Sequence, residues 1–522
     1  MAQILFLNQA YVNPVVAKTT FEFSKHSPSL KIYPLDDSNS TSTTFKMYFH
    51  PTTGSTFFDN RLTNRGQSIK IARQHQREKS VRNFKKRVVI TGVGPITPVG
   101  NGKEAYWESL IQGKSSYQRI AFPNKDMNQY RCQIAAPIEG FDLFQYVDRT
   151  KHSKYLGRTS QFAVAATWLA LKDAGIELQK NEDKKEDPPE QIGKYQMKGL
   201  DSFQVGVILG IGAEAMELME HYHERFLSRG VKSLSPFALP NIYLSAITSH
   251  VTHYFTIRGT AYAISTACAS ATHAMINSFL QIQGGGEDLM VTGGTDACIT
   301  PLVFAGFDVL RAMSTRNEEP QKACRPFDRE RDGFVMGEGS GVLVFEELEH
   351  AKRRGTHIYG EVVGFGMTAD AYHITEPDPN GKALAKAIKD ALQMADLHPE
   401  EIDYINPHGT STPLNDKVET KVIKDVFGKQ AYRIPISSTK SITGHLMGAA
   451  GGVEAIAVLL AIEKGIVHPT INYEFPDPEC DLDYVPNEAR EKEVNIALSI
   501  SAGFGGVNSA ILIKKFEDTP SR

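Results

Sequence analysis

A thiol and two imidazoles are the groups in this chain best suited to covalent chemistry. Cys268 lies in the run Ser265-Thr266-Ala267-Cys268-Ala269-Ser270-Ala271. The strand-like stretch Tyr262, Ala263, Ile264 precedes it, and a long stretch of small and apolar residues follows. A strand turning sharply into a helix would hold the thiol at the helix N-terminus. There the dipole favours thiolate and backbone N–H groups point at a nearby oxyanion. A lone cysteine in small apolar company also reads as a buried structural residue. Two downstream segments weigh against that reading. His408 sits in Asn406-Pro407-His408-Gly409-Thr410-Ser411-Thr412. His445 ends Ser437-Ser438-Thr439-Lys440-Ser441-Ile442-Thr443-Gly444-His445 and runs into a Gly/Ala-rich helix start. A fourth loop, Gly503-Phe504-Gly505-Gly506, is another glycine-rich turn. Any one of these histidines alone is more often structural than catalytic. The four loops together, in this order, form a specific signature.

Elements able to position these loops recur along the chain. Short β-branched runs closed by glycine or turn residues read as buried strands. They occur at 88–91, 288–294 and 341–345, and again at 360–364, 496–500 and 510–513, with a strand and turn at 435–440. Helical patterns fall between them, as at 383–394 and 451–462. Strands alternating with amphipathic helices imply an α/β fold with mostly parallel central strands. The matching order of pieces suggests a duplicated plan, with active-site loops meeting where the halves join.

Composition sets the outer bounds. The 522 residues are 41% hydrophobic and 22% charged, with a net charge of −3. This balance gives no reason to expect nucleic acid or an anionic membrane as partner. No apolar run approaches the roughly 20 residues of a membrane span. Cys132, Cys268, Cys298, Cys324 and Cys480 are an odd, dispersed set without C-x-x-C spacing. That argues against a disulfide framework and a zinc site, so no metal is expected, and it fits a reducing compartment such as the cytoplasm. Residues 1–86 differ from the rest. They are Ser/Thr-rich and then strongly basic, with no signal-peptide core. They read as a poorly ordered extension or, alternatively, as a transit peptide for a plastid or mitochondrion. The stretch 180–189 reads as a solvated surface loop, and 518–522 as a tail.

Over residues 87–516 the four loops, with Ser314-Thr315-Arg316-Asn317, Arg325-Pro326-Phe327-Asp328 and Asp370-Ala371-Tyr372-His373, resemble the β-ketoacyl-acyl-carrier-protein synthases, nearest the elongating type II. The resemblance implies a thiolase-like, duplicated five-layered αβαβα sandwich, with halves 87–350 and 351–517, in a homodimer. It implies decarboxylative condensation of an acyl-enzyme with malonyl-acyl-carrier protein, without a cofactor. Cys268 would carry the acyl group. His408 and His445 would stabilise the enolate. Backbone N–H groups of Cys268 and Phe504 would form an oxyanion hole, with Phe504 as gate. Lys440 would tune the histidines, with Glu454 and Asp416 in support. Thr410 and Thr412 would hold the phosphopantetheine arm.

Alternatives remain. A thiolase acting on coenzyme A thioesters would want a second cysteine in the last glycine loop, and residues 501–509 have none. An initiating synthase would replace His445. A chain-length partner would lack Cys268. A scaffold role, or dinucleotide binding through Gly210-Ile211-Gly212, is weakly supported. A type II polyketide or polyene ketosynthase would use the same chemistry. Ala502, where the resembled type usually has phenylalanine, and the acid-rich stretch at 214–220 leave the acyl chain open.

Overall fold

The computed structural model describes residues 86–151, 153–181, 193–213 and 215–518. All fall within the unit Lys79–Arg522. The expected extension at 1–86 lies, save for Lys86, outside the described residues, as does most of the polar loop at 180–189.

Strand β1 (Val88–Thr97) is buried along its whole length. It leads through helix α1 (Arg158–Asp173) to β2 (Val205–Gly210), α2 (Leu244–Phe255), β3 (Ala261–Ile264), α3 (Ser270–Gln283), β4 (Leu289–Asp296) and β5 (Gly339–Glu347). The second series is β6 (Gly360–Ala369), α4 (Lys382–Ala395), β7 (Tyr404–Asn406), α5 (Pro413–Phe427), α6 (Ala450–Lys464), β8 (Ile496–Gly503) and β9 (Val507–Lys514). The main sheet runs β7-β8-β9-β6-β1-β5-β4-β2-β3, with the two-residue strand Gly100–Asn101 added on β1.

The series mirror each other about the β1–β6 pair. From β1 outward the order is β5, β4, β2, β3; from β6 it is β9, β8, β7. The irregularities match as well. The β1–β5 register shifts between Ile90 and Gly92, and the β6–β9 register between Val362 and Gly364. Just there, glycines let a helix lie directly on the strand. A Cβ on Gly94 would stand 2.0 Å from the Ala166 carbonyl of α1, and one on Gly366 2.0 Å from the Ala387 carbonyl of α4. Contacts stack the elements as α1 and α2, one half-sheet, α3 and α6, the other half-sheet, then α4 and α5. Ala450 through Ile462 of α6 are all buried, as a helix between two sheets requires.

Two expectations need correction. The central strands are not mostly parallel. Only β2–β3, β2–β4 and β7–β8 pair in parallel, while β4, β5, β1, β6, β9 and β8 pair antiparallel in succession. A parallel pair needs a crossover, and the β8–β9 link is a hairpin of three residues. The run 435–440 is also not a strand. A single bridge, Ile405 to Ile436, stands where the first half has β3, and the chain then turns into a one-turn helix, Lys440–Thr443.

The glycine contacts give a direct test. Gly366→Ala should lower stability by about 1–3 kcal/mol, because backbone must shift to admit a methyl group. Gly306→Ala, inside the helix Pro301–Val309 where a Cβ meets nothing within 4 Å, should raise the thermal midpoint slightly, by the roughly 0.5–1 kcal/mol that alanine gains over glycine in a helix. Thermal unfolding of both variants checks this, and equal midpoints would refute the close packing of α4 on β6.

Candidate active site

β3 ends at Ile264, and four residues later Cys268 precedes the first turn of α3. The elbow between them is strained: Ala267 holds φ 50°, a left-handed conformation uncommon for alanine. Ser270 secures it, taking the Thr266 N–H at 2.9 Å and donating to the Ala267 carbonyl at 2.6 Å. Gly503 packs against the same elbow, where a Cβ would come within 2.8 Å of the Thr266 oxygen.

The fold brings Cys268, His408 and His445 together, with one ligand-type atom of each within 4.8 Å of the others. The imidazoles meet edge to face, centroids 5.4 Å apart, and Phe334 packs edge-on against His445. All three residues line a cleft of about 360 Å³ with Thr410, Thr412, Ala502 and Phe504. The Thr410 and Thr412 hydroxyls are 2.9 Å apart. Phe307 packs tilted against Phe504, ring centroids 5.9 Å apart.

Lys440 is buried behind this front. Its ammonium donates to the His408 carbonyl at 2.5 Å and to the Glu454 carboxylate of α6. Burial first, then the Lys440 charge, hold both histidines well below the usual imidazole range, so both are neutral. The Met447 N–H donates to His445 Nδ1 at 3.2 Å. The His445 proton therefore sits on Nε2. A Cys-His-His set of this size is zinc-like on paper. A metal on Nε2 would need the proton on Nδ1, where the Met447 N–H already points, so this histidine fits a donor better than a ligand.

Burial also pushes the Cys268 thiol up, to about 12, against the pull of Lys440 and of the Phe504 N–H. This differs from the helix-stabilised thiolate expected from sequence. Desolvation in a closed pocket outweighs the dipole of one helix end.

Asp416 lies behind the cleft, among the groups that hold its walls. It accepts the Phe327 N–H at 2.8 Å, faces Arg331 at 3.5 Å and does not line the cleft. The carboxylate that meets the His408 loop is that of Glu419, one turn further along α5. It takes the N–H of His408 at 2.6 Å and of Gly409 at 2.8 Å. Asp296, at the end of β4, does similar work for the other wall. It takes the N–H groups of Gly212, Ala213 and Gly448 at 2.8–3.2 Å. Burial raises both carboxyls to about 7. Sequence reading passed over both residues; their only signal was an acid close to a glycine-rich turn.

Glu419→Gln leaves one oxygen for two N–H donors, an expected cost of about 1–3 kcal/mol. The folded-state value of Glu419 is raised above its unfolded value, so its protonated form adds stability below about pH 4.5 that is lost as pH rises through about 7. The gap in thermal midpoint between wild type and Glu419→Gln should therefore shrink from pH 4.5 to 7 and then level. A gap that widens over this window would refute the assignment.

Known proteins show the same arrangement of domains. Models of the beta-ketoacyl synthase N-terminal and C-terminal domains match residues 85–351 and 359–474. The chain is 44% identical over 433 residues to a 3-oxoacyl-[acyl-carrier-protein] synthase 2 of Synechocystis sp., covering 83% of this chain and 99% of the relative. It is 41% identical over 432 residues to the synthase of the same name from Staphylococcus aureus, with the same coverage. Among solved structures it resembles a type II polyketide ketosynthase in complex with its acyl-carrier protein (TM-score 0.73, 33% identity, 83% of this chain and 100% of that one). It also resembles a beta-ketoacyl synthase from Burkholderia phymatum (TM-score 0.72, 33% identity, the same coverage). The chain belongs to the beta-ketoacyl synthase family.

Proposed function

We propose that this protein is a 3-oxoacyl-acyl-carrier-protein synthase that extends fatty acyl chains by decarboxylative condensation. The observation that carries the reading is the His445 hydrogen bond: with Met447 N–H on Nδ1, a neutral imidazole turns an N–H donor toward the cleft beside Cys268 and His408.

In the first step the Cys268 sulfur attacks an acyl thioester. The thiol proton leaves with the carrier's phosphopantetheine thiol, and Cys268 keeps the acyl group. The Phe504 N–H, which already reaches the Cys268 sulfur, and the Cys268 N–H receive the carbonyl oxygen as charge develops. In the second step malonyl-carrier protein enters past Phe504, its arm lying along Thr410 and Thr412. The bond to its free carboxylate breaks, CO₂ departs, and the electron pair forms an enolate. Its oxygen is stabilised by the N–H donors of His408 and His445. The enolate carbon then attacks the acyl carbonyl, the C–S bond to Cys268 breaks, and the Cys268 thiolate takes up a proton from solvent. Burial, with the charge of Lys440 fixed by Glu454 behind it, keeps both imidazoles neutral, so they donate hydrogen bonds without giving up a proton.

Partners and place follow. An acyl-carrier protein delivers both substrates. A homodimer is supported by β3, which ends the sheet path with Tyr262 39% exposed. The segments 87–350 and 351–517 act as two halves of one fold. A reducing cytoplasm fits five free, buried cysteines. Among the described residues no helix is long and apolar enough to cross a membrane. A polyketide or polyene ketosynthase is the second reading, favoured by Ala502 in the cleft wall where a larger ring would narrow it.

Cys268→Ala should abolish acyl transfer and retain malonyl-carrier decarboxylation. His408→Ala and His445→Ala should each cut decarboxylation about 10²–10³-fold, the usual cost of one oxyanion donor. Because both histidines stay neutral, decarboxylation by Cys268→Ala should be flat from pH 6 to 8. Release of ¹⁴CO₂ reads all of these. A histidine variant with undiminished decarboxylation, or an acid limb near pH 6.5, would overturn the donor role.

A further inference from the structure

Tyr117 belongs to no motif, and its ring is 1% exposed. Its hydroxyl donates to the Lys440 carbonyl at 2.8 Å and accepts the Gly444 N–H at 3.1 Å. That same N–H reaches the Lys440 carbonyl at 3.1 Å. One phenol thus closes the one-turn helix Lys440–Thr443 from outside, touching both ends of it. Lys440 is its first residue, and His445 follows Gly444 directly. Gly444 has φ 74° and is packed 3.5 Å from the Tyr117 ring at the position a Cβ would take. Tyr117 is itself anchored, since Gln321 donates to its carbonyl at 2.6 Å. Burial pushes the phenol well above its ordinary range, so it remains neutral.

We propose that Tyr117 is a positioning residue for the decarboxylating half of the site, holding the turn that leads into His445. This rests on the condensing activity proposed above. The Lys440 ammonium, whose charge reaches the Cys268 thiol, is fixed separately by Glu454 and the His408 carbonyl. The phenol reaches no reacting atom; besides the two backbone groups of the turn it meets the buried Cys324 thiol. The Cys268 elbow is held by other groups, Ser270 and Gly503, so the two half-reactions should respond differently. A residue that merely supported the fold would affect both alike.

Three proteins make the test: wild type, Tyr117→Phe and Tyr254→Phe. Tyr254 is an equally buried tyrosine, bonded to Ser153 at 2.8 Å and absent from the cleft. Acylation of Cys268 and malonyl-carrier decarboxylation are measured separately, with thermal midpoints. Tyr117→Phe should lower the kcat of decarboxylation about tenfold or more, with its KM and the acylation rate within about twofold, the scale expected when a support shifts a donor by a fraction of an ångström. Tyr254→Phe should lower the midpoint and leave both steps intact. Should Tyr117→Phe not fold, 3,5-difluorotyrosine at position 117 keeps the shape and alters the hydroxyl, and should change decarboxylation while sparing acylation. Equal loss of both steps, or undiminished decarboxylation, overturns the positioning role. A wild type that performs neither step overturns instead the condensing activity on which it rests.

Discussion

A single buried ammonium organises this site. Lys440 is 1% exposed, and no lysine sits in such a place unpaired. Its partner, Glu454, lies in the first turns of α6, the helix closed in on all sides. Such a pair gains little net stability, since desolvation offsets most of the attraction. Its effect is on the neighbours. The charge adds to burial in keeping two imidazoles neutral and draws the Cys268 thiol downward against burial. Removing one partner would leave the other charged and buried, so the loop, helix and histidines hold together as one unit.

That unit needs the close approach of two helices in the middle layer. A Cβ on Gly451 would stand 2.2 Å from the Thr272 hydroxyl of α3, and one on Gly452 2.3 Å from the Gly341 carbonyl of β5. Any larger side chain would push α6 away from α3 and so separate His445 from Cys268. The Gly/Ala-rich start of α6 is therefore a packing requirement for bringing His445 to Cys268, not a flexible linker.

Much of this was legible in the chain. Cys268, His408, His445 and Phe504 sit in loops whose glycines and short polar residues mark them, and these loops do converge. Glu454 was legible only as a support that the family resemblance implies. Glu419, Asp296 and Tyr117 were not, because their work is done on backbone N–H and carbonyl groups, which no side-chain pattern records. Strand direction was misread for a related reason. Buried runs such as Val88–Thr97 look alike in parallel and antiparallel sheets, and only the length of the connections separates them. The thiol was misread because a helix end is local in sequence, while the burial that overrides it is assembled from the Phe504 loop and both histidine loops.

The matched halves suggest how one plan acquired two chemistries. In the first, β3 is followed by a tight elbow, a thiol and α3. In the second, the bridge at Ile436 is followed by the turn Lys440–Thr443, an imidazole and α6. Both groups stand just before an inner helix, at the same topological place. In the first half a paired β3 rises to the elbow, and Ala267 carries the strain of presenting the thiol. In the second a lone bridge replaces the strand, which frees about one turn of chain to wind around a buried lysine. Thiol and donor face each other because the inner helices do, and the difference between them lies in how each half uses the residues between its last strand contact and its inner helix.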